Sequence, residues 1–402
     1  MNGAADKPLK SSKATLLLCF LAAVIEGFDL QAAGVAAPKL GPAFGLAPAE
    51  LGLVFSAAIA GLVLGALVGG RISDRLGRKP ALLLSLATFG IFSLLTAAAW
   101  DYHSLLAIRF ATGLGLGGAF PNLIAIASEG APENRKATAV ATIYAGMPLG
   151  GAISALVSLF GAHGGWQMVF IIGGIAPLLL ILPMLRWQLP DMRPQTSTPD
   201  ARRSMSALFA GSRALDTAAL WIASFCALLV LYLLLNWLPV LIEGRGIARN
   251  DALIVQIVFN LAGVAASRFC GQAMDGADQR LVTLVMAGAL IVSLAMLALA
   301  PAELGWTAAA AAAAGAAVLA MQAIIYALAP LIYHAEIRGT AIGSIVAVGR
   351  LGSVTGPLVA GGLIAAGSSG ASVLAAMIPV GMVGSTAILV LAMRRRRREL
   401  RA

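Results

Sequence analysis

The sequence predicts an all-α membrane protein in which twelve transmembrane helices form two pseudo-symmetric halves of six. Three observations lead to this fold class: the composition, the spacing of the apolar stretches, and motifs that recur between the halves. Of the 402 residues, 59% are hydrophobic and only 11% are charged, whereas a soluble protein carries about 25% charged residues. Too few polar residues are present to cover the surface of a water-soluble domain.

The chain contains twelve apolar stretches that are long enough to cross a bilayer, since a transmembrane helix needs about 20 mostly apolar residues. The first stretch is too long and too acidic for a cleavable signal peptide. The predicted spans are 14–38, 51–70, 81–99, 104–126, 137–160, 166–185, 218–241, 252–273, 281–300, 306–329, 340–366 and 372–393.

A polar segment rich in proline, serine and threonine, residues 188–203, separates the sixth span from the seventh. Such a composition is typical of a flexible connection. We therefore expect an N-terminal six-helix half at 1–186, a cytoplasmic linker at 187–215, and a second six-helix half with a basic tail at 216–402.

Two motifs recur between these halves. Glu133-Asn-Arg135 corresponds to Glu336-Ile-Arg338, and Gly70-Arg-Ile-Ser-Asp74 corresponds to Gly271-Gln-Ala-Met-Asp275. The offsets are 203 and 201 residues, which indicates a structural repeat. Parallel repeats of this kind place a substrate site near the membrane midplane at their interface.

The lysines and arginines are distributed unevenly over the predicted loops. If the N-terminus is placed in the cytoplasm, 23 of the 28 lie in cytoplasmic segments or, like Arg268, at the cytoplasmic end of a span; three lie outside and two lie deep within spans. The positive-inside rule predicts a multi-pass protein of the cell inner membrane with both termini in the cytoplasm. The formal charge of +10 is thus an orientation signal, and no nucleic-acid partner is expected.

The strongest local motif closes the second span and opens the third: Gly70-Arg-Ile-Ser-Asp74-Arg75-Leu-Gly77-Arg78-Lys79-Pro80. Gly77 permits a tight turn, and Asp74 can accept hydrogen bonds from a helix N-terminus or an arginine. We expect this loop to hold helix ends together at a cytoplasmic gate. The alternative is an ordinary cytoplasmic loop, which does not require this spacing. Further gate candidates are Glu129, Arg135, Asp275, Glu336 and Arg338.

This loop resembles the signature loop between helices two and three of the major facilitator superfamily. Four motifs resemble the aromatic acid:proton symporter family within it: Glu26-Gly-Phe-Asp-Leu-Gln31, Arg109-Phe-Ala-Thr-Gly-Leu-Gly115, Asn236-Trp-Leu-Pro239 and Gly349-Arg-Leu-Gly352. Within that family, the bacterial 3-(3-hydroxyphenyl)propionate transporters are resembled by three runs: Glu26-Gly-Phe-Asp-Leu-Gln-Ala-Ala-Gly-Val-Ala-Ala37, Tyr326-Ala-Leu-Ala-Pro-Leu331 and Ala347-Val-Gly-Arg-Leu-Gly352. The resemblance implies a major-facilitator-type fold and proton-coupled uptake of an aromatic carboxylate, such as a phenylpropanoid or hydroxybenzoate. One departure is Glu26, where many members carry aspartate.

Two acids lie within the first predicted span. A charge inside a span costs at least about 2.5–3.5 kcal/mol and usually works in the bundle interior. Glu26 and Asp29 are three residues apart and share a helix face, where a low dielectric favours retention of a proton by one of them. We expect this pair to couple transport to protons. The alternative is a static ion pair, because Arg109 lies near the depth of Asp29.

Arg350 lies near the midplane of the eleventh span, where no acid of the second half clearly shares its depth. Its planar fork matches a carboxylate bidentately, so we expect it to bind the substrate. The alternative is a partner in the first half, such as Glu26. Aromatic and amide side chains at similar depth predict a mixed apolar and polar cavity. The remaining predicted substrate-binding residues are Arg109, Phe28, Tyr144, Asn236, Trp237, Gln322 and Tyr326.

The sequence contains no Walker A loop and no metal-ligand spacing, so we expect no ATP hydrolysis, metal, cofactor or enzymatic activity. The expected partners are an aromatic acid, a proton and the bilayer, and the expected state is monomeric. Two alternatives stay open. Gly146-Met-Pro-Leu-Gly-Gly151 partly resembles an antiporter motif, which would fit a proton-antiport exporter of organic acids or drugs. A transporter-like chemoreceptor for aromatic acids is the other, although the linker lacks a signalling domain.

Overall fold

The computed structural model describes residues 12–132, 135–161, 164–186, 206–210, 213–276, 278–299, 301–333 and 335–399. Within these residues twelve helices are long and apolar enough to cross a membrane, which confirms the predicted fold class. They are α1 (Ser12–Phe44), α2 (Pro48–Leu76), α3 (Arg78–Ala97), α4 (Tyr102–Glu129), α5 (Lys136–Phe160), α6 (Gln167–Arg186), α7 (Arg213–Glu243), α8 (Arg249–Gly276), α9 (Gln279–Leu299), α10 (Leu304–Ile332), α11 (Ala335–Ala365) and α12 (Gly370–Glu399).

Several helices are longer than the spans that the sequence predicts. Helix α1 has 33 residues and a length of about 50 Å, whereas the hydrocarbon core of a bilayer is about 30 Å thick. Helix α12 continues through the arginines that follow its apolar part. The prediction ended where the apolar residues end. A helix, however, satisfies its own backbone hydrogen bonds and can therefore continue into polar surroundings.

The helices pack in two sets that have the same pattern of neighbours. In the first set, α1 packs on α5 and α6, α2 on α4, and α3 on α4 and α6. In the second set, α7 packs on α11 and α12, α8 on α10, and α9 on α10 and α12. Adding six to each label reproduces the neighbours, so the two sets are pseudo-symmetric, as the recurring motifs predict. We call them the N half (α1–α6) and the C half (α7–α12).

The bundle has two ends. We call the end where α1 and α7 begin the linker side, and the opposite end the far side. On the linker side, α2 and α3 meet at Gly77, whose φ of 93° favours glycine. On the far side, the Ser104 backbone N–H donates to the Asp101 carboxylate at 2.7 Å. This bond caps the start of α4 and lowers the pKa of Asp101.

Helices α2 and α4 approach each other closely because glycines line both faces of their contact. A side chain built at Gly61 or Gly65 would overlap the backbone of α4, and one built at Gly113 or Gly117 would overlap the backbone of α2. Small residues at this spacing allow close helix packing within membranes. The contact joins α2 and α4 closely within the N half.

We expect Gly117→Ala to destabilise the protein, because its methyl group would meet the α2 backbone at Leu62 and Ala66. The expected loss is about 1–3 kcal/mol, measured as a lower thermal unfolding temperature in detergent. Gly288 in α9 provides the matched control, since an added Cβ there meets nothing within 4 Å. Gly288→Ala should leave the unfolding temperature unchanged or raise it, because alanine favours a helix. An equal loss in both variants would contradict the packing role.

Candidate functional site

A buried ion pair joins α1 and α4 within the N half. Arg109 places Nη1 3.2 Å from Asp29 Oδ2, and Nη2 lies 3.4 Å from the backbone carbonyl oxygen of Asp29. The exposed fractions of the two residues are 1% for Arg109 and 0% for Asp29. This is the static ion pair that the depth of the two residues allows as the alternative to a proton-binding role for Asp29.

The second carboxylate oxygen of Asp29 also has a partner. The Ser93 hydroxyl on α3 donates to Asp29 Oδ1 at 2.5 Å, and the Phe170 ring on α6 lies 5.4 Å from the guanidinium carbon of Arg109. Groups of the N half therefore satisfy both oxygens of Asp29. A buried ion pair is maintained only where such additional hydrogen bonds are present. This geometry fits the static alternative for Asp29 better than a proton-binding role.

Glu26 lies one turn before Asp29 but has different surroundings. It is 1% exposed, and its Oε2 atom has no hydrogen-bond partner among the residues that the structure describes. Arg350 and Asp29 are near enough to interact with it electrostatically, although no described cation forms an ion pair with it. An ionised carboxylate that is buried without a partner is costly. Of the two acids, Glu26 is the one whose carboxyl group is available.

Arg350 on α11 faces Glu26 across the boundary between the halves. Its Nη1 donates to the Tyr232 hydroxyl at 2.7 Å, and the ring of Tyr232 lies 5.9 Å from the guanidinium carbon. Glu26 and Tyr326 are also within electrostatic reach of Arg350. In the described part of the chain, the hydrogen-bonded partner of this guanidinium is thus a neutral phenol and no carboxylate.

Tyrosines from both halves surround the arginine. Tyr144 on α5 is 44% exposed and packs edge-on against Phe120, with the ring centroids 5.1 Å apart. Tyr326 on α10 interacts electrostatically with Tyr144 and Arg350. Gln322 lies one turn before Tyr326, beside its hydroxyl, and its amide is buried without a well-formed hydrogen bond to any described residue. We call the following residues the central cluster: Glu26, Tyr144, Tyr232, Gln322, Tyr326 and Arg350.

Three other predicted substrate-binding side chains lie outside the central cluster. Asn236 Nδ2 donates to the backbone carbonyl of Tyr232 at 2.8 Å. Trp237 Nε1 donates to a backbone carbonyl of α11 at 3.1 Å. Phe28 is buried and packs towards Gly173 of α6. Asn236 and Trp237 therefore donate their side-chain hydrogen bonds within the C half, and the ring of Phe28 packs within the N half.

The gate residues predicted from the sequence lie on the linker side. Arg78 and Glu129 form an ion pair that joins the start of α3 to the end of α4. Both residues belong to the N half, so this pair stabilises one half. Asp74 and Arg75, before the buried Gly77, are exposed.

The structure describes the side chains of only two of the other four predicted gate residues, Arg135 and Arg338. Arg135 is exposed at the start of α5, and Arg338 Nε donates to the backbone carbonyl of Tyr333 at 3.4 Å. The side chains of Asp275 and Glu336 lie outside the described residues. The predicted role of these two acids at the gate therefore stays a sequence prediction.

A buried amide cluster connects the halves on the far side of the central cluster. Gln31 Nε2 on α1 donates to Asn260 Oδ1 at 3.1 Å, and Gln31 Oε1 accepts from Asn260 Nδ2 and Gln256 Nε2, each at 2.9 Å. Gly151 of α5 leaves the space that the Gln31 amide occupies. Sequence reasoning did not pair these amides, because helical spacing gives the depth of a residue but not its neighbour on another helix.

Further contacts between the halves lie at the same end of the bundle. Ser56 on α2 donates to the carbonyl of Val354 on α11 at 2.8 Å, and the Phe55 and Trp237 rings meet edge-on at 5.3 Å. The backbone of α1 at Gly34 lies against α7. These contacts close the far side, whereas the exposed Tyr144 ring shows that open space reaches the central cluster.

A separate crevice of about 500 Å³ lies between α2, α4 and α11. Its lining is almost entirely apolar, with His103 and Ser56 as the polar exceptions. The crevice contains no residue of the central cluster. Because its lining is apolar, it does not suit a charged ligand. Among the described residues, no three His, Cys, Asp or Glu side chains are placed to hold a metal ion.

We expect Asp29→Asn to lower the free energy of unfolding by about 3–5 kcal/mol, because it leaves the Arg109 charge buried without its carboxylate. The double variant Asp29→Asn/Arg109→Gln should lose less than the sum of the two single variants, since neither charge is left alone. Thermal unfolding in detergent measures all three. Strictly additive losses would show that the two side chains do not act as a stabilising pair.

We expect Gln31→Leu to loosen the far side, because it removes the three hydrogen bonds between α1 and α8. The measurement is the rate at which a water-soluble maleimide labels a cysteine introduced at Ala155, which is buried with Val35 of α1 and Leu253 of α8, in a background without the native cysteines. The control is Asn122→Leu, which removes a buried amide that bonds within the N half. Faster labelling in Gln31→Leu alone is expected, and equal rates in all variants would contradict a closing role.

Comparison with known proteins identifies the family. The profile of the Major Facilitator Superfamily matches residues 19–318. The 3-(3-hydroxy-phenyl)propionate transporter of Escherichia coli (strain K12) is 42% identical over 383 residues, which cover 95% of this chain and 94% of that protein. The gallate transporter of Pseudomonas putida is 32% identical over 387 residues, which cover 88% and 85% of the two chains.

A solved structure of a D-xylose-proton symporter has the same fold, with a TM-score of 0.74 at 18% identity, over 94% of this chain and 97% of that one. The resemblance to transporters of aromatic acids that the motifs indicate is confirmed. The chain belongs to the Major Facilitator Superfamily, and it is a transporter of the membrane and not an enzyme.

Proposed function

We propose that this transporter carries an aromatic carboxylate into the cell together with a proton, by alternating access between the N half and the C half. The observation that supports this most is the central cluster, where Arg350 on one half faces the buried Glu26 on the other. The names of the relatives, which transport hydroxylated aromatic acids, support 3-(3-hydroxyphenyl)propionate or a related phenylpropanoid or hydroxybenzoate as the substrate.

In this proposal Arg350 binds the substrate carboxylate. The Tyr232 phenol accepts from only one of the two Nη atoms of the guanidinium, which leaves N–H donors for the substrate carboxylate. A charge-assisted bond from an arginine to a carboxylate is stronger than one to a neutral group. The rings of Tyr144 and Tyr326 pack against the substrate ring, and the Gln322 amide bonds a ring hydroxyl. Four further predicted residues lie outside the central cluster and support its walls through contacts within the halves: Phe28, Arg109, Asn236 and Trp237.

Glu26 binds the proton in this proposal, and Asp29 assists by holding α1 in place through Arg109. A substrate carboxylate on Arg350 would place a second anion opposite an ionised Glu26. Protonation of Glu26 removes that repulsion, so proton and substrate favour each other's presence. Because Glu26 and Arg350 are on opposite halves, relative movement of the halves changes the surroundings of the proton site and of the substrate site at the same time.

The positive-inside rule supports a cytoplasmic linker side and an inner-membrane location. The far side, closed by the amide cluster, then faces the exterior, and release to the cytoplasm occurs from the linker side. The Arg78–Glu129 pair, with Asp74, Arg75 and the turn at Gly77, belongs to the cytoplasmic gate. We propose that one chain is sufficient for transport, because the central cluster is assembled from a single chain.

The test is uptake of radiolabelled 3-(3-hydroxyphenyl)propionate into proteoliposomes at two external pH values, in competition with a panel of aromatic acids and their amides. We expect competition from hydroxylated acids but not from amides, which lack the carboxylate, and greater uptake at the lower external pH. Efflux without uptake in vesicles of known orientation would favour the antiport exporter. Competition by amides as strong as by acids would contradict a carboxylate site.

Variants of the two charged residues separate binding from coupling. Glu26→Gln should retain exchange of labelled for unlabelled substrate but lose accumulation driven by a pH gradient, whereas Glu26→Asp keeps the acid as a control. Arg350→Gln should raise the substrate KM by about 30-fold or more, since loss of one partner of a buried charge pair costs about 2–5 kcal/mol. Accumulation by Glu26→Gln at the wild-type level would contradict the proton role.

A further inference from the structure

Tyr232 on α7 combines a buried ring with a hydrogen bond at its hydroxyl group. The ring is buried in the C half, and its hydroxyl accepts a hydrogen bond from Arg350 Nη1 at 2.7 Å. Packing alone would be achieved by phenylalanine, so the oxygen atom is the informative part of this side chain. A buried tyrosine hydroxyl usually requires a partner, and here the partner is the arginine of the central cluster.

Helices α7 and α11 are joined at several levels besides this bond. Trp221 Nε1 donates to Ser344 Oγ at 3.0 Å, and Ser224 Oγ donates to the backbone carbonyl of Ile345 at 3.1 Å. Near Arg350, glycines on α11 allow close approach, because a side chain at Gly352 would overlap the α7 backbone. The two helices therefore form one unit of the C half.

The two neighbours of Arg350, Tyr232 and Glu26, belong to different halves. Glu26 belongs to the N half, so its distance from Arg350 depends on how the halves are placed. Tyr232 belongs to the same half as Arg350, so its hydrogen bond can persist whichever side is open. An arginine side chain has several rotatable bonds and five N–H donors, and one fixed N–H group restricts the orientation of the rest of the fork.

We propose that Tyr232 is a positioning residue that holds the Arg350 guanidinium in the orientation that receives the substrate carboxylate, in both conformations of the transport cycle. The inference rests on the proposed function, because it requires Arg350 to bind that carboxylate. Binding to a guanidinium already held in place requires less ordering of the side chain than binding to a mobile one. Tyr232 thus contributes to substrate affinity without contacting the substrate.

The test is exchange of labelled 3-(3-hydroxyphenyl)propionate in proteoliposomes that contain the full chain, with KM and the maximal rate measured separately. Tyr232→Phe keeps the ring and removes the oxygen. We expect its KM to rise about tenfold, the scale of one hydrogen bond to a charged group, with the maximal rate within about twofold. A higher KM at an unchanged rate indicates loss of ground-state binding.

Tyr333→Phe is the matched control, since it removes the same atom from a tyrosine of the C half whose hydroxyl lies 2.9 Å from Thr217 Oγ1 and away from Arg350. Its KM should stay at the wild-type value. An unchanged KM in Tyr232→Phe, equal rises in both variants, or a lower maximal rate without a KM change would overturn the role of Tyr232. Absence of exchange by the wild-type protein would instead overturn the proposed function, and with it this role.

Discussion

A charge inside a membrane-spanning bundle requires a partner, and the placement of four charges organises this structure. Asp29 and Arg109 satisfy each other within the N half, with Ser93 completing the set of bonds to the carboxylate. Glu26 and Arg350 are on opposite halves and do not form an ion pair. A buried charge without a counter-charge is costly. In the proposed function, a proton and an anionic substrate supply the missing partners at this boundary between the halves.

The bonds within the halves differ in kind from those between them. Within the N half, the buried Asp29–Arg109 ion pair holds helices together, and breaking a buried ion pair costs about 3–5 kcal/mol. Between the halves, the far side is closed by the neutral amides of Gln31, Gln256 and Asn260. A neutral hydrogen bond contributes only about 0.5–1.5 kcal/mol net. The halves can therefore separate on that side while each keeps its internal structure.

The sequence predicted the twelve spans and the two halves, and it left the Asp29–Arg109 pair as an alternative, because composition and helical rise report depth in the membrane. It did not predict which of two acids on one helix face is left available, since that depends on Ser93, a single serine on another helix. Likewise, no spacing rule joins Tyr232 to Arg350 or Gln31 to Asn260, which are 118 and 229 residues apart. Helical periodicity gives the face of a residue but not the helix that it faces.

The most direct test of the account is whether an aromatic acid brings protons with it through Glu26. Proteoliposomes with a luminal pH dye and no imposed gradient would receive 3-(3-hydroxyphenyl)propionate outside, with protein-free liposomes correcting for passive entry of the acid. We predict rapid luminal acidification with the wild-type protein, and none above the protein-free level with Glu26→Gln, although this variant still exchanges substrate. Equal acidification by both proteins would contradict proton coupling through Glu26.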